Sequence, residues 1–160
     1  MSIEPRQKIP SVTIKQATSA GARDVDPSVL FAGKRVVLFS LPGAFTPTCS
    51  KHHLPGYVAR AAELHAKGVD IIACLSVNDP FVMQAWADAH NVGDRVVMLA
   101  DGSATFTKAL GIDWDGSALA MGIRSRRGVL VIQDGIVESI ELEAAGKFEV
   151  SSVESCLAKL

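Results

Sequence analysis

Stretches in which nearly every position is apolar alternate along the chain with stretches in which apolar positions recur every three or four residues. Residues 35–41 (RVVLFSL) and 70–77 (DIIACLSV) predict strands buried on both faces, and residues 95–99 (RVVML) predict a third strand. Residues 11–17 alternate between apolar and polar side chains, which predicts a short edge strand. Residues 24–33 are mainly polar and predict a connector with one possible helical turn.

Helical segments lie between these strands, and capping residues mark several of their ends. Residues 56–67 predict a helix, and residues 80–90 predict another that follows the capping candidate Asp79. Shorter helices are predicted over 103–110 and 151–157. The helix over 80–90 has one apolar stripe, which predicts its core-facing side: Phe81, Val82, Ala85, Trp86 and Ala89.

The last strands form a predicted hairpin, because Asp134-Gly135 separates the apolar segments 129–133 and 136–142. Three strand–helix units therefore precede an antiparallel hairpin and a closing helix. This order predicts an α/β protein with a thioredoxin-like fold, in which helices flank a central mixed sheet. No linker, repeat or low-complexity tract interrupts the chain, so residues 1–160 are predicted to form one such domain.

Composition and charge exclude several classes of function. The chain has 160 residues, of which 48% are hydrophobic and 21% charged, and this is not the composition of a disordered protein. Its formal net charge of -1 does not favour binding to nucleic acid or anionic membranes. The first ten residues lack the apolar stretch of a secretion signal, and three Cys residues do not suit a disulfide scaffold. We therefore expect a protein of a reducing compartment, the cytoplasm, with no membrane partner.

The segment that carries chemistry is residues 42–50 (PGAFTPTCS), which follows a buried strand and precedes a helix. Ligands in such sheets bind beyond the carboxyl ends of the strands. Cys49 is predicted to lie near a first helical turn, where backbone N–H groups and the helix dipole favour a thiolate. A buried structural thiol is the alternative, but the surrounding Pro, Gly and hydroxyl side chains favour a reactive one.

Thr46 stands three residues before Cys49, in the spacing T-x-x-C. A thiol–disulfide exchanger needs C-x-x-C, and a hydroxyl cannot resolve a mixed disulfide. It can, however, form hydrogen bonds to a polar substrate. The pair therefore predicts attack by one thiolate on an electrophile such as a peroxide, which would give a sulfenic acid and an alcohol.

His52 and His53 follow closely and raise two further alternatives. Cys-x-x-His could begin a zinc site, but no second Cys/His pair stands at ligand spacing. A Cys–His hydrolase needs its base within hydrogen-bond distance of the thiol, and adjacent helical side chains diverge. Neither a metal site nor a hydrolase is favoured.

The run PGAFTPTCS with KHHLPGY directly after it resembles the active-site region of the peroxiredoxins, in their type II branch. Residues 76–83, 99–103 and 124–127 extend the resemblance over nearly the whole chain. It implies a peroxidase that reduces hydrogen peroxide and alkyl hydroperoxides. It also implies that Cys49 is the peroxidatic nucleophile, that Thr46 bonds the peroxide and the thiolate, and that Pro42 shields the site.

Residue chemistry alone does not choose among Arg124, Arg126 and Arg127 as the cation of the site. The resemblance implies Arg127, which would stabilise the thiolate and polarise the peroxide. Type II members often have a Cys at the spacing of Cys74, so this residue is a candidate resolving thiol or a structural one. Cys156 matches nothing in the family.

Regeneration of the thiol is also inferred from the resemblance. Mammalian atypical members place a resolving Cys at the position of Ser151, and this chain has no thiol there. An external reductant is therefore expected: glutathione with glutaredoxin, or thioredoxin. No metal, haem or flavin cofactor is expected, and a homodimer is implied. A peroxide-sensing relay or a chaperone-like binding protein is the alternative from another functional class. Steady-state peroxide turnover distinguishes the two, because a sensor would be oxidised once and then stall.

Overall fold

Nine strands and six helices make up the chain, and the computed structural model describes all residues from 1 to 160. The strands are β1 (Ile14–Thr18), β2 (Gly21–Val25), β3 (Arg35–Ser40), β4 (Ile71–Ser76), β5 (Val97–Ala100), β6 (Asp113–Asp115), β7 (Ile123–Ser125), β8 (Gly128–Gln133) and β9 (Ile136–Leu142). The helices are α1 (Pro27–Leu30), α2 (Leu54–Ala59), α3 (Ala61–Ala66), α4 (Pro80–Ala89), α5 (Thr105–Ala109) and α6 (Val153–Lys159). A π-helical turn, Cys49–His53, precedes α2, and a 3₁₀ turn, Ser117–Leu119, lies between β6 and β7.

Seven strands form one mixed sheet in the order β2-β1-β5-β4-β3-β8-β9, and β6 pairs with β7 in a separate hairpin. The central strands β3, β4 and β5 are parallel, whereas β1, β8 and β9 pair antiparallel with their neighbours. This arrangement confirms the predicted thioredoxin-like fold with a central mixed sheet. No helix is long and apolar enough to span a membrane.

Both faces of the sheet are covered, which explains why β3 is apolar at successive positions. Val37 and Phe39 point into one hydrophobic cluster, and Val36 and Leu38 point into a second cluster on the opposite face. The first cluster also contains Cys49, together with side chains of α2, α3, α4 and α6. The nucleophile candidate therefore lies at the boundary between the sheet and this helical layer.

Two predictions about the sheet are wrong. The strand predicted at 11–17 is not an edge strand, because β2 pairs along its outer side. The polar connector predicted at 24–33 contains the end of β2 before α1 begins. Four of the five β2 residues are exposed, so neither face of this strand has the apolar pattern by which strands are recognised.

The helix predicted at 80–90 is confirmed as α4, but its core-facing stripe is only partly confirmed: Trp86 is buried and Val82 half-buried, whereas Phe81, Ala85 and Ala89 are exposed. Phe81 is 79% exposed and Ala85 is exposed, whereas Met83, Trp86 and Ala87 are buried. Trp86 belongs to both the predicted and the observed buried face, and the helix is rotated so that Met83 and Ala87 are buried beside it in place of Phe81 and Ala85.

Candidate active site

Cys49 lies at the start of the helical segment that follows β3, with its side chain fully buried. The first helical bond of this segment runs from the Ser50 amide to the Thr46 carbonyl, at 3.0 Å. The Leu54 amide then donates to the Cys49 carbonyl five residues earlier, which is the bond that defines a π-helical turn. The helix predicted over 56–67 thus begins earlier, at the nucleophile, and it is interrupted at Arg60, between α2 and α3.

A guanidinium group faces the sulfur. Arg127, in the short connection between β7 and β8, donates from Nη2 to Cys49 Sγ over 3.1 Å. Its Nη1 donates to His53 Nδ1 over 3.0 Å. Because a guanidinium is planar, two hydrogen bonds in different directions fix its orientation. Of the three arginines considered from the sequence, Arg127 is the one that contacts Cys49.

Arg124, in β7, does not contact the sulfur but contacts the loop that precedes Cys49. Its Nη1 lies 3.3 Å from the Pro42 carbonyl and 3.4 Å from the Val77 carbonyl, and donates to both. A Cβ atom at Gly43 would come within 2.7 Å of the same nitrogen, so a larger residue there would require the Arg124 guanidinium to shift. This role of Arg124 was not predicted, although the glycine beside Pro42 was a signal that could have suggested a close approach.

The Thr46 hydroxyl donates to the Gly43 carbonyl over 2.7 Å. The predicted hydrogen bond from Thr46 to the thiolate is therefore absent, because this proton is already donated. The lone pairs of Thr46 Oγ1 remain available to accept a hydrogen bond from a peroxide. Phe45 adopts a left-handed backbone conformation with a φ of 63°, and the neighbouring Ala44 amide donates to Asn78 Oδ1 over 2.9 Å. This loop is thus held in a strained shape from the end of β4.

His53 is buried and connects Arg127 to the far end of the chain. Its Nε2 lies 3.0 Å from the Ser151 carbonyl oxygen, which can only accept, so Nε2 carries the proton and Nδ1 accepts from Arg127. Burial and the positive charge of Arg127 lower the pKa of His53 from 6.5 to about 3. His53 is therefore neutral at physiological pH, and its free lone pair is occupied by Arg127 rather than by the thiol. His52 is exposed and lies near Phe148 instead.

This buried neutral histidine predicts that acid destabilises the fold. The unfolded chain binds a proton at His53 near pH 6.5, but the folded chain does so only near pH 3, so stability falls as the pH drops between these values. Between pH 7 and pH 5 the expected loss is about 2 kcal/mol. Urea denaturation at both pH values measures it, and His53→Leu should remove this contribution. The same pH dependence in both proteins would contradict the burial of a neutral imidazole.

The other two cysteines are free and buried. Cys74 lies in the middle of β4 with no exposed surface, and burial together with the nearby Cys49 raises its pKa well above the usual 9.0. Burial also raises the pKa of Cys156, in α6. Both groups are therefore protonated at neutral pH and packed in the core in this conformation. No group of three or more His, Cys, Asp or Glu side chains is placed to hold a metal ion.

A cleft of about 680 Å³ opens beside these groups. Pro42, Thr46 and Arg127 are among the residues that line it. Its apolar lining includes Trp114, Leu119 and Met121, from and around the β6–β7 hairpin, and the segment 143–147 also lines it. The hairpin was not predicted, because all three β6 residues are exposed and polar or aromatic. Thr46 and Arg127 line this cleft, whereas the fully buried Cys49 does not.

The chain is similar to known proteins in both sequence and structure. The Redoxin family model matches residues 4–157. The chain is 48% identical to Peroxiredoxin-2E-2, chloroplastic, of Oryza sativa subsp. japonica over 158 residues, which cover 96% of this chain and 70% of that protein. It is 48% identical to Peroxiredoxin-2B of Arabidopsis thaliana over 131 residues, covering 82% and 81% of the two chains. The structure of reduced Prx3 in complex with H₂O₂ from Vibrio vulnificus superposes with a TM-score of 0.93 at 50% identity, over 98% of each chain.

Proposed function

We propose, since the chain belongs to the type II peroxiredoxins of the Redoxin family, that its thiol peroxidase reaction proceeds through Cys49 with Arg127 as the activating cation. The observation that carries this assignment is the 3.1 Å contact between Arg127 Nη2 and Cys49 Sγ. The guanidinium thus places its positive charge beside the reacting sulfur. It also stands where negative charge develops when the sulfur attacks an O–O bond.

In the proposed reaction, the Cys49 thiolate attacks the terminal oxygen of the peroxide. An S–O bond forms as the O–O bond breaks, and the electron pair leaves with the second oxygen, which is protonated to water or an alcohol. Cys49 is thereby oxidised to a sulfenic acid. Arg127 stabilises the charge on the departing oxygen, and Thr46 Oγ1 accepts a hydrogen bond from the bound peroxide. Pro42, which lines the cleft, shields the sulfur from bulk water.

Hydrogen peroxide and alkyl hydroperoxides are the proposed substrates. The related Vibrio vulnificus structure holds H₂O₂, which supports the first. The apolar lining that Trp114, Leu119 and Met121 contribute supports the second, because it would bury the organic group of an alkyl hydroperoxide.

An external thiol is the proposed reductant, through glutathione with glutaredoxin or through thioredoxin. The burial and raised pKa values of Cys74 and Cys156 support this route, because neither group is accessible to a sulfenic acid as a thiolate. The incoming thiol would condense with the sulfenic acid to a mixed disulfide and water, and a second thiol would release Cys49. No metal or organic cofactor enters this cycle.

We further propose a homodimer in a reducing compartment, the cytoplasm. Three exposed apolar side chains support the dimer, because Phe45, Phe81 and Leu119 are 57%, 79% and 67% accessible in the isolated chain. Three free thiols and no disulfide suit a reducing compartment.

Peroxide consumption measured separately with glutathione, with glutathione and glutaredoxin, and with thioredoxin tests the whole cycle. We expect sustained turnover with at least one of these systems. A single stoichiometric oxidation of Cys49 followed by a stall in all three would contradict the enzymatic cycle and favour the peroxide sensor.

Substitution of the two other cysteines separates an external from an internal reductant. Cys156→Ser is expected to retain activity within about twofold, because the thiol takes no part in turnover. Cys74→Ser is expected to lower the melting temperature, because it places a hydroxyl in a fully buried site. Steady-state turnover and thermal unfolding measure the two effects. A large loss of activity in Cys156→Ser would show that this thiol resolves the sulfenic acid.

A further inference from the structure

Glu143, just after β9, is a buried carboxylate that forms no ion pair. One of its oxygens, Oε2, accepts hydrogen bonds from the amides of Glu149, Val150 and Ser151 at 2.7, 2.9 and 2.9 Å. It also accepts one from the Ser151 hydroxyl at 2.7 Å. The residue is only 6% exposed. Four donors that converge on one oxygen are an unusual concentration for a segment outside regular secondary structure.

These bonds keep Glu143 ionised. Burial acts to raise the pKa of its carboxyl group, but the hydrogen bonds from Ser151, Val150 and Glu149 together hold the pKa below its usual value. Hydrogen bonds to a charged acceptor are stronger than those between neutral groups. The carboxylate therefore holds the turn at residues 149–151 in one conformation.

The Ser151 carbonyl in this turn is the group that determines the state of His53. It accepts from Tyr57 Oη over 2.8 Å and from His53 Nε2 over 3.0 Å. With its proton on Nε2, His53 presents the lone pair of Nδ1 to Arg127. Without the carbonyl, the opposite tautomer would place a proton against the guanidinium, and the two groups would repel each other.

Two further contacts connect Glu143 to the same arginine. The backbone amide of Glu143 donates to the Arg127 carbonyl over 2.9 Å, so the residue that follows β9 also holds the backbone of the arginine. The segment between Glu143 and Ser151 also carries Phe148, whose ring centroid lies 5.8 Å from Arg127 Cζ. Glu143 is thus linked to both the backbone and the surroundings of Arg127.

We propose that Glu143 is a positioning residue of the peroxidase, which acts through Ser151 and His53 to aim the Arg127 guanidinium at Cys49. The inference rests on the proposed function, because it assumes that Arg127 activates the thiol and the peroxide. Glu143 itself touches neither the sulfur nor the substrate. No feature of the sequence had indicated a role for Glu143.

The test is a double-mutant cycle on the rate constant for oxidation of Cys49 by H₂O₂, measured by stopped flow. Glu143→Ala is expected to lower this rate constant by about 10- to 100-fold, the scale on which misplaced catalytic groups act. Glu143→Gln keeps an acceptor oxygen without the charge and should give a smaller loss. His53→Leu breaks the connection, so adding Glu143→Ala to it should cause almost no further loss.

Two controls distinguish positioning from a loosened fold. Glu141→Ala removes a carboxylate two residues before Glu143, near the end of β9, where it pairs with Lys159 at the surface, and it should leave the rate constant within about twofold. Alkylation of Cys49 by iodoacetamide reports access to the sulfur. A loosened fold would speed alkylation, whereas loss of positioning should not.

The proposal is overturned if folded Glu143→Ala oxidises at the wild-type rate, or if its loss multiplies fully with that of His53→Leu. Should Glu143→Ala fail to fold, Glu143→Gln decides alone, and a wild-type rate in that variant overturns the proposal. Steady-state peroxide consumption by the wild-type protein with a thiol reductant tests the proposed function separately, since it does not depend on any Glu143 variant.

Discussion

Replacing Cys49 by serine is expected to reduce peroxide consumption to the uncatalysed background. A serine hydroxyl stays protonated at neutral pH, and its oxygen cannot take up the peroxide oxygen as sulfur does. The Arg127 guanidinium would then hydrogen bond to a group that cannot react. Loss of peroxide over time, together with the mass of the intact protein after one equivalent of peroxide, measures the effect. Wild-type protein should gain one oxygen atom, and Cys49→Ser should gain none.

Cys156→Ser is the matched control for this experiment, because it makes the same substitution at another buried thiol. It should still gain one oxygen per chain and continue to turn over. If Cys49→Ser consumed peroxide at a rate comparable to the wild type, another group would be the nucleophile and the assignment of the site would be wrong.

Replacing Arg127 by methionine is expected to lower kcat/KM for peroxide by about 100- to 1,000-fold, the usual effect of removing one donor that stabilises charge in a transition state. Methionine fills a similar volume but donates no hydrogen bond to Cys49 Sγ or His53 Nδ1. The kcat/KM of Arg127→Lys should lie between those of the wild type and Arg127→Met, since an ammonium keeps the charge but lacks the planar fork that reaches both acceptors. Stopped-flow oxidation of the reduced protein measures all three.

Arg126→Met tests whether the effect belongs to position 127 or to positive charge in general. Arg126 is the exposed neighbour of Arg127 and forms no side-chain hydrogen bond. We expect its loss to change kcat/KM by no more than a few fold. Equal losses at the two positions would indicate long-range electrostatic attraction rather than contact with the sulfur.

Local patterns were sufficient for the elements whose residues carry their own signal. The strands β3 and β4 were predicted because both their faces are apolar. The β8–β9 hairpin was predicted from its Asp134-Gly135 pair, and in the structure these two residues adopt the positive φ values of 49° and 74° that such a turn needs. The exposed strand β2 and the rotation of α4 were not predicted. Each depends on tertiary contacts with other parts of the chain, which local patterns do not show.

The candidate site divides in the same way. The short segment from Pro42 to Cys49 carries its chemistry in consecutive residues, so a nucleophile beside a hydroxyl, after a buried strand and before a helix, could be inferred from the sequence alone. The choice of Arg127 over its neighbours needed family resemblance, because adjacent basic residues look alike until the β7–β8 connection sets their directions. The path from Glu143 through Ser151 and His53 to Arg127 was invisible in the sequence. Its members come from the segment just after β9, the turn before α6, the helical segment after β3 and the β7–β8 connection. Hydrogen bonds between such distant segments exist only after the sheet has brought them together.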